Sequence, residues 1–248
     1  MPSGCCGTRA TCSWSARATS RPIEEHRVDG LLITPAEADL SQLSVLAAHG
    51  IPTVLLDRDG EASSLCSATV DDVRGGELAA GHLFGLGHKT IAFVNGPLSI
   101  RQCADRREGA KKALRRARRR KEATLAEISV SALVVDHGEA AVAAVLSAKP
   151  RPTAVMCAND LLALGVLRGL AERGVGVPEE IAVVGYDDVT FASMLSPALT
   201  SVRQPKYELG ATAAELLLEE VLGSEHEHRS VRFEPELIVR ASSGGPLS

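Results

Sequence analysis

Residues 152–165 of the chain read PTAVMCANDLLALG. Residues 153–157 form a largely apolar run of the kind found in buried strands, without the alternation of a half-exposed strand. Asn159 and Asp160 then supply short polar side chains suited to capping a helix, and leucines recur at helical spacing as far as Leu170. The segment therefore predicts a buried strand that leads through a polar tip into an apolar helix.

The same order of apolar strand, polar tip and helix recurs along most of the chain. Further buried strands are predicted at residues 28–33, 52–57, 90–94 and 181–185. Further helices are predicted at residues 38–49, 71–87 and 205–223. Because strands without alternation belong to parallel sheets that helices cover on both faces, the sequence predicts the α/β class.

The composition is that of a globular protein: 45% of the 248 residues are hydrophobic and 23% are charged. No segment has the roughly 18 apolar residues of a membrane span, and the N-terminus lacks the apolar core and cleavage site of a signal peptide. The net charge of −4 gives no general attraction to nucleic acid. We therefore expect a cytoplasmic protein that contacts DNA only through a local basic module.

Six cysteines raise the question of a metal site or of disulfides. Three lie near the N-terminus and three are scattered singly: Cys5, Cys6, Cys12, Cys66, Cys103 and Cys157. No CxxC pair occurs, and the histidines show neither HExxH nor zinc-finger spacing. The sequence therefore predicts free thiols in a reducing compartment and no metal ion.

Phosphate-binding and catalytic motifs are incomplete or missing. Gly85 and Gly87 begin a GxGxxG pattern, but Thr90 takes the third glycine position and the glycines close a helix instead of opening one. Neither a GxxxxGK(S/T) loop nor a GxSxG elbow occurs, and no cysteine has the local signature of a nucleophile. We therefore expect no enzymatic activity and no cofactor.

Residues 115–121 read RRARRRK and form a dense basic run. A basic helix of this kind could neutralise phosphates. Runs of like charge are more often solvated faces or the last turns of helices, where cations interact well with the helix dipole. Since no aromatic residue interrupts the run and no helix-turn-helix signature surrounds it, we expect a solvated helix end and not a DNA contact.

Polar residues closely follow three of the apolar strands: Asp57, Asn159 and Asp187. In parallel α/β sheets the carboxyl ends of the strands form the ligand crevice, where such side chains can bind hydroxyls and amines. The same residue types are also the usual N-caps of helices. The pattern supports the two interpretations equally for Asn159 and Asp187, and favours a cap for Asp57.

Several segments, taken in order, resemble the sensor domain of the lactose-repressor (LacI/GalR) family. The motifs are VDGLLI at 28–33, GIPTVLLDR at 50–58, LGHKTIAF at 86–93, GP at 96–97, RREG at 106–109, AND at 158–160, VPE at 177–179, VGYDD at 184–188 and LTSVRQP at 199–205. Each motif alone has little specificity, whereas their order is highly specific. Together they place the resemblance over residues 23–241.

The resemblance implies a periplasmic-binding-protein-like fold of two doubly wound parallel-sheet lobes joined by three crossovers, the first lobe being incomplete. The crossovers would lie near Asn95, Val202 and Gly223. The implied division is 23–95 with 203–222 for the first lobe, 96–202 with 223–241 for the second, and tails at 1–22 and 242–248.

The resemblance also implies a sugar, a nucleobase or a similar small polar effector in the cleft between the lobes. It assigns effector contacts to Asp57, Arg101, Arg106, Asn159, Asp187 and Gln204. Arg106 resembles the arginine that clamps the family's effector. Arg101 is one residue out of register with another family contact and is carried over on that weaker basis.

Family members act as homodimers in which effector binding changes the affinity for operator DNA. From the resemblance we expect this sequence to lack the family's DNA-binding headpiece and the first strand and helix of its first lobe, with residues 1–21 in their place. We hypothesise that these residues come from a misread frame, a wrong start or a degraded gene. The alternative function is a solute-binding protein of a sugar transporter, which shares the fold; the missing signal peptide and the motif at 203–210 argue against it.

Overall fold

The computed structural model describes residues 28–34, 50–58, 65–119, 122–223 and 226–244. Within them the strands are β1 (Leu31–Ile33), β2 (Thr53–Leu56), β3 (Cys66–Val70), β4 (Thr90–Asn95), β5 (Thr124–Ser129), β6 (Ala154–Cys157), β7 (Ala182–Asp187), β8 (Thr200–Arg203), β9 (Ser230–Phe233) and β10 (Glu236–Ile238). The α-helices are α1 (Asp72–Leu86), α2 (Arg101–Arg118), α3 (Val135–Ser147), α4 (Asp160–Ala171) and α5 (Lys206–Leu222). Short 3₁₀ helices cover Thr190–Met194 and Ala241–Ser243.

The chain divides into two compact units and passes between them three times. The first unit comprises residues 1–69 and 207–231, and the second comprises residues 70–206 and 232–248. None of the helices in the described ranges is both long and apolar enough to cross a bilayer.

The first unit contains a sheet with the strand order β1-β2-β3-β9. β1 pairs with β2 and β2 with β3, both in parallel. Ile33, Leu55 and Leu65 form a buried apolar cluster on this sheet. Gly30, just before β1, lies so close to α5 that a β-carbon there would stand 2.7 Å from Leu217. The missing side chain therefore lets the helix pack directly on the start of the sheet.

The second unit contains a six-stranded sheet with the order β10-β8-β7-β6-β4-β5. All of its pairs are parallel except that of β10 with β8, which is antiparallel. The strands β4 and β6 are fully buried, as their continuous apolar sequences predict. The predicted α/β class with parallel sheets is therefore confirmed.

Glycines bring the helices of the second unit together in two close pairs. Gly76 of α1 packs on the backbone of Arg106 in α2, and Gly109 of α2 packs on the Val73 carbonyl of α1. Gly138 of α3 and Gly165 of α4 make the equivalent contacts in the second pair. Because a β-carbon at any of these positions would overlap backbone atoms, the glycines allow an approach that places side chains of α1 against those of α2.

The boundaries between the units differ from those predicted. The sequence places residues up to Asn95 in the first lobe, but β4 has β5 and β6 as its neighbours and so belongs to the second unit together with α1. The chain crosses at residues 69–70, 206–207 and 231–232, instead of near residues 95, 202 and 223. The strand partners decide the unit, and they are not visible in the local sequence.

Of three further expectations, one is confirmed and two concern residues that the structure does not describe. Residues 115–118 of the basic run form the last turn of α2, where Arg115 is paired with Glu108 and Arg116 with Glu77, so the predicted helix end is confirmed. The predicted helix at residues 38–49 and the hypothesis about residues 1–21 lie outside the described residues.

Candidate functional site

Arg106 is a buried arginine on α2 whose guanidinium holds three groups of the second unit together. Its Nε donates to Asp72 Oδ1 at 2.8 Å, and its Nη1 donates to the Ala158 carbonyl oxygen at 2.6 Å. Its Nη2 lies 3.7 Å from Asp187 Oδ1, and the side chain is only 6% exposed. A buried charge is costly unless an opposite charge compensates it. Asp72, at the start of α1, compensates the positive charge of Arg106.

The ring of Tyr186 lies against the same guanidinium, with Arg106 Cζ 3.6 Å from the ring centre. The ring is fully buried, and this burial is the main reason that the pKa of its phenol is raised well above the ordinary value. Burial alone would lower the pKa of Arg106, but Asp72, Tyr186 and Asp187 together raise it. Arg106 is therefore a permanent cation that packs on an uncharged ring.

Asp187 ends β7 and is more accessible than Arg106, with 26% of its side chain exposed. Its Oδ1 faces Arg106 and accepts a hydrogen bond from Gln204 Nε2 at 2.6 Å. Burial raises the pKa of its carboxyl, and Arg106 and Gln204 oppose that rise. Its backbone φ of 106° is rare for a residue other than glycine and marks a strained turn. We call Arg106, Asp72, Tyr186, Asp187 and Gln204 the Arg106 cluster.

Asp160 fixes the turn at the end of β7, next to Asp187, through two hydrogen bonds. Its Oδ1 accepts from Ser201 Oγ at 2.6 Å, and its Oδ2 accepts from the Val189 N–H at 2.9 Å. Burial raises the pKa of this carboxyl to about 6 in spite of the two hydrogen bonds. Gly185 leaves room for it, because a β-carbon at that position would overlap Asp160 Oδ1. The neighbouring Asp188 is itself held by ion pairs with Arg203 and Arg240.

Asn159 uses both ends of its side chain within the fold. Its Oδ1 accepts from the Leu162 N–H at 2.9 Å as the N-cap of α4, and its Nδ2 donates to the Leu133 carbonyl oxygen at 3.2 Å. Of the two interpretations that the sequence left open, the structure shows the cap. Arg106 nevertheless lies beside it, bound to the carbonyl of the preceding Ala158.

Two more of the predicted site residues are not part of the Arg106 cluster: Arg101, on the surface of the same unit, and Asp57, in the first unit. Arg101 is 56% exposed on the first turn of α2, where its Nε pairs with Asp105 Oδ2 at 3.0 Å. Asp57 belongs to the first unit, where its N–H donates to the Ala68 carbonyl oxygen at 3.0 Å and its φ is 57°. The structure therefore brings together Arg106, Asp187 and Gln204 of the six.

The sequence did not single out Asp72, Tyr186 or Asp160 as site residues. Asp72 is the first residue of α1, and the observed cap of this helix is Asp71, whose side chain accepts from the Arg74 N–H at 2.7 Å. A usable signal was present in α2: Arg106 shares a helix face with Cys103, Gly109 and Ala110, all of them buried. A buried arginine requires a carboxylate nearby, although not a particular one.

Comparison with known proteins agrees with this architecture. Residues 80–243 match a family model described as a periplasmic binding protein-like domain. The repressor PurR of Vibrio atlanticus (strain LGP32) is 35% identical over 223 residues, which are 90% of this chain and 66% of that protein. The crystal structure of a LacI family transcriptional regulator from Enterococcus faecium with bound ribose aligns with a TM-score of 0.78 and 32% identity, over 89% of this chain and 81% of that one.

The chain belongs to the LacI family of transcriptional regulators. A third similar protein, the regulator CelR in complex with cellobiose, aligns with a TM-score of 0.77 and 32% identity, over 87% of this chain and 66% of that one. The similarity places this chain in the effector-binding domain of the LacI family and favours a regulator over the transporter alternative. It spans about two thirds of the length of the curated repressors that it matches.

Proposed function

We propose that the Arg106 cluster binds the small polar effector of a LacI-family regulator. The proposal depends on the distance of 3.7 Å between Arg106 Nη2 and Asp187 Oδ1, which is longer than a hydrogen bond. Each group therefore keeps capacity for a ligand atom. One hydroxyl group placed there can donate to the carboxylate and accept from the guanidinium at the same time.

The charges of the Arg106 cluster favour a neutral effector over an anion. Arg106 carries one positive charge, whereas Asp72 and Asp187 carry two negative charges when both are ionised, so an anionic ligand adds repulsion. The ring of Tyr186 is buried against Arg106 and is not free to stack on a ligand. These features support a polyhydroxyl compound such as a sugar, as in the ribose and cellobiose complexes of similar regulators.

The other predicted contacts enter this proposal in different ways. Gln204 positions Asp187 through its hydrogen bond and can offer its amide oxygen to a ligand hydroxyl. Asn159 orients α4 as a cap and contributes through its position beside Arg106. Asp57 remains a predicted contact from the first unit, and Arg101 a predicted contact at the surface of α2.

The effector would act by favouring one of two conformations of the regulator. A ligand shifts such an equilibrium only through different affinities for the two states, and the similar PurR proteins are transcriptional repressors. We infer that the intact regulator works in the cytoplasm and that effector binding alters its affinity for operator DNA. DNA binding would depend on a part of the regulator outside the described residues.

We also propose a homodimer in which α5 takes part. Tyr207, Leu218 and Leu222 are large, exposed hydrophobic side chains of this helix. Their spacings of eleven and four residues place them on one face, since a helix has 3.6 residues per turn. An apolar stripe on a helix is typical of a surface that a partner covers, and the family relationship makes a second copy of the chain the partner.

The Arg106 cluster is proposed to bind and not to transform its ligand. The described thiols of the second unit, Cys103 and Cys157, are buried, and this burial raises the pKa of both, so neither is an activated nucleophile. Asp72 is occupied by Arg106 and Asp160 by Ser201, which leaves neither of these acids free as a general acid or base.

Calorimetric titration of the chain with pentoses, hexoses, disaccharides and nucleobases tests the proposal. We expect one compound to bind and to raise the melting temperature, and Asp187→Asn to weaken that binding at least tenfold. Lys112→Ala is the matched control, because it removes an exposed charged side chain of the same unit that is not among the predicted contacts. Binding unaffected by Asp187→Asn, or turnover of the bound compound, would overturn the proposal.

A further inference from the structure

Four metal-ligating side chains meet in the first unit, in a place that effector binding does not use. They come from three parts of the chain: Cys66 from the first residue of β3, Glu220 from α5, and His226 and His228 from the segment that follows α5. One ligand atom from each of the four lies within 4.8 Å of the ligand atoms of all the others.

The distances within this group fit a single small ion. Cys66 Sγ lies 3.0 Å from His226 Nε2 and 3.8 Å from His228 Nδ1. Around a tetrahedral zinc ion with ordinary bond lengths, sulfur and nitrogen ligands are separated by about 3.6 Å. The two imidazole rings stand edge to face, at 77° with centres 5.2 Å apart, so they do not stack on each other.

Glu220 supplies an independent indication that something is bound here. Its Oε2 is buried and has no hydrogen-bond partner among the described residues. A buried carboxylate oxygen without a partner is costly, because its hydration is lost and nothing replaces it. A cation bound to the neighbouring sulfur and nitrogen atoms would replace it.

We propose that Cys66, Glu220, His226 and His228 form a zinc-binding site. One thiolate, two imidazoles and one carboxylate are the ligand types that zinc accepts in tetrahedral sites, and the soft sulfur disfavours magnesium and calcium. The site would join β3, α5 and the segment leading to β9, and so would stabilise the fold of the first unit. It departs from the sequence-based expectation of no metal ion.

The surroundings of the sulfur support this assignment. The backbone N–H of Arg229 donates to Cys66 Sγ at 3.4 Å, which is the kind of outer hydrogen bond that orients a metal-bound ligand. The Arg229 guanidinium is itself paired with Glu219 at 2.8 Å, so its positive charge is balanced next to the proposed ion. A short sequence signal exists as well: His226 and His228 are two residues apart, and alternate residues of an extended segment point to the same side.

Cobalt binding tests the proposal through a signal that only a thiolate ligand gives. The full chain, with Cys5, Cys6 and Cys12 changed to Ser so that they cannot bind metal, is stripped with a chelator and titrated with Co²⁺ and then Zn²⁺. We expect one Co²⁺ per chain, with a thiolate-to-cobalt charge-transfer band and the absorption of a tetrahedral ion. We also expect Zn²⁺ to displace the Co²⁺ and to raise the melting temperature.

Two variants and one control identify the ligands. Cys66→Ser should abolish the charge-transfer band, and His228→Ala, at an exposed position, should weaken Co²⁺ binding at least tenfold. Cys103→Ser, which removes a buried thiol of the second unit, should leave both unchanged. Failure of the chain to bind Co²⁺ in excess, or the same band in the Cys66→Ser variant, would overturn the proposal.

Discussion

The hydroxyl group of Tyr186 occupies the space that a β-carbon of Gly75 would need. Gly75 lies in α1, one turn after Asp72, and the ring of Tyr186 supports the guanidinium of Arg106. The glycine therefore sets the position of the ring, and through the ring that of the arginine. The absence of a side chain at Gly75 thus helps to determine the position of the charged Arg106 side chain.

Gly75→Ala should displace the Tyr186 ring and with it Arg106. We expect a loss of about 1–3 kcal/mol in the free energy of unfolding, which is the usual cost of overpacking a core, together with weaker effector binding. Urea denaturation and calorimetry measure the two effects. Gly81→Ala in the same helix is the matched control, because nothing lies within 4 Å of its β-carbon; it should be neutral or stabilise by up to about 1 kcal/mol. Equal effects at the two positions would refute the steric role of Gly75.

Arg106→Met should destabilise the second unit by about 3–5 kcal/mol, since it leaves the Asp72 carboxylate buried without its partner. The double variant with Asp72→Asn removes that charge and should recover part of the loss, without restoring effector binding. Urea denaturation of both variants measures the recovery. A double variant no more stable than Arg106→Met alone would mean that Asp72 is not the residue whose charge Arg106 balances.

Because of Asp160, the free energy of unfolding should fall as the pH rises from 4 to 6. Its pKa is about 6 in the folded protein, against an ordinary value of 3.8. The folded state therefore keeps its proton over a range in which the unfolded state has lost it, and the resulting stabilisation, about 3 kcal/mol below pH 4, disappears as the pH passes 6.

The variant Asp160→Asn isolates this effect, because it cannot titrate. The difference in the free energy of unfolding between the two proteins should shift in favour of the variant as the pH rises from 4 to 7. Parallel pH profiles for the Asp160→Asn variant and the unchanged protein would show that Asp160 has an ordinary pKa.

Leu218→Glu combined with Leu222→Glu should convert the proposed dimer to a monomer. Burying two charges of the same sign at the exposed face of α5 would oppose association. Sedimentation velocity at several protein concentrations measures the outcome. Met194→Glu, which changes an exposed hydrophobic residue of the second unit, should leave the dimer intact. A monomer before any substitution, or a dimer after both, would contradict the role of α5.

The sequence predicted more of the fold than of the site. The strand at 153–157, the cap at Asn159 and the apolar helix after it were all readable, because strand burial, capping and helical periodicity depend on residues close together in the chain. The position of β4 was predicted wrongly within the two lobes. Which sheet a strand joins depends on partners such as β5 and β6, which are distant in sequence.

The family relationship and the arginine of the proposed effector site were determined by the sequence alone, since ordered motifs carry both. Only the tertiary structure showed that Arg106 is balanced by Asp72, thirty-four positions away, or that Cys66 lies against histidines more than 150 positions away. The physical reason is the same in both cases. A charge or a metal ligand acts over a few ångströms of space, and the packing of whole helices and sheets decides which distant residues come within that range.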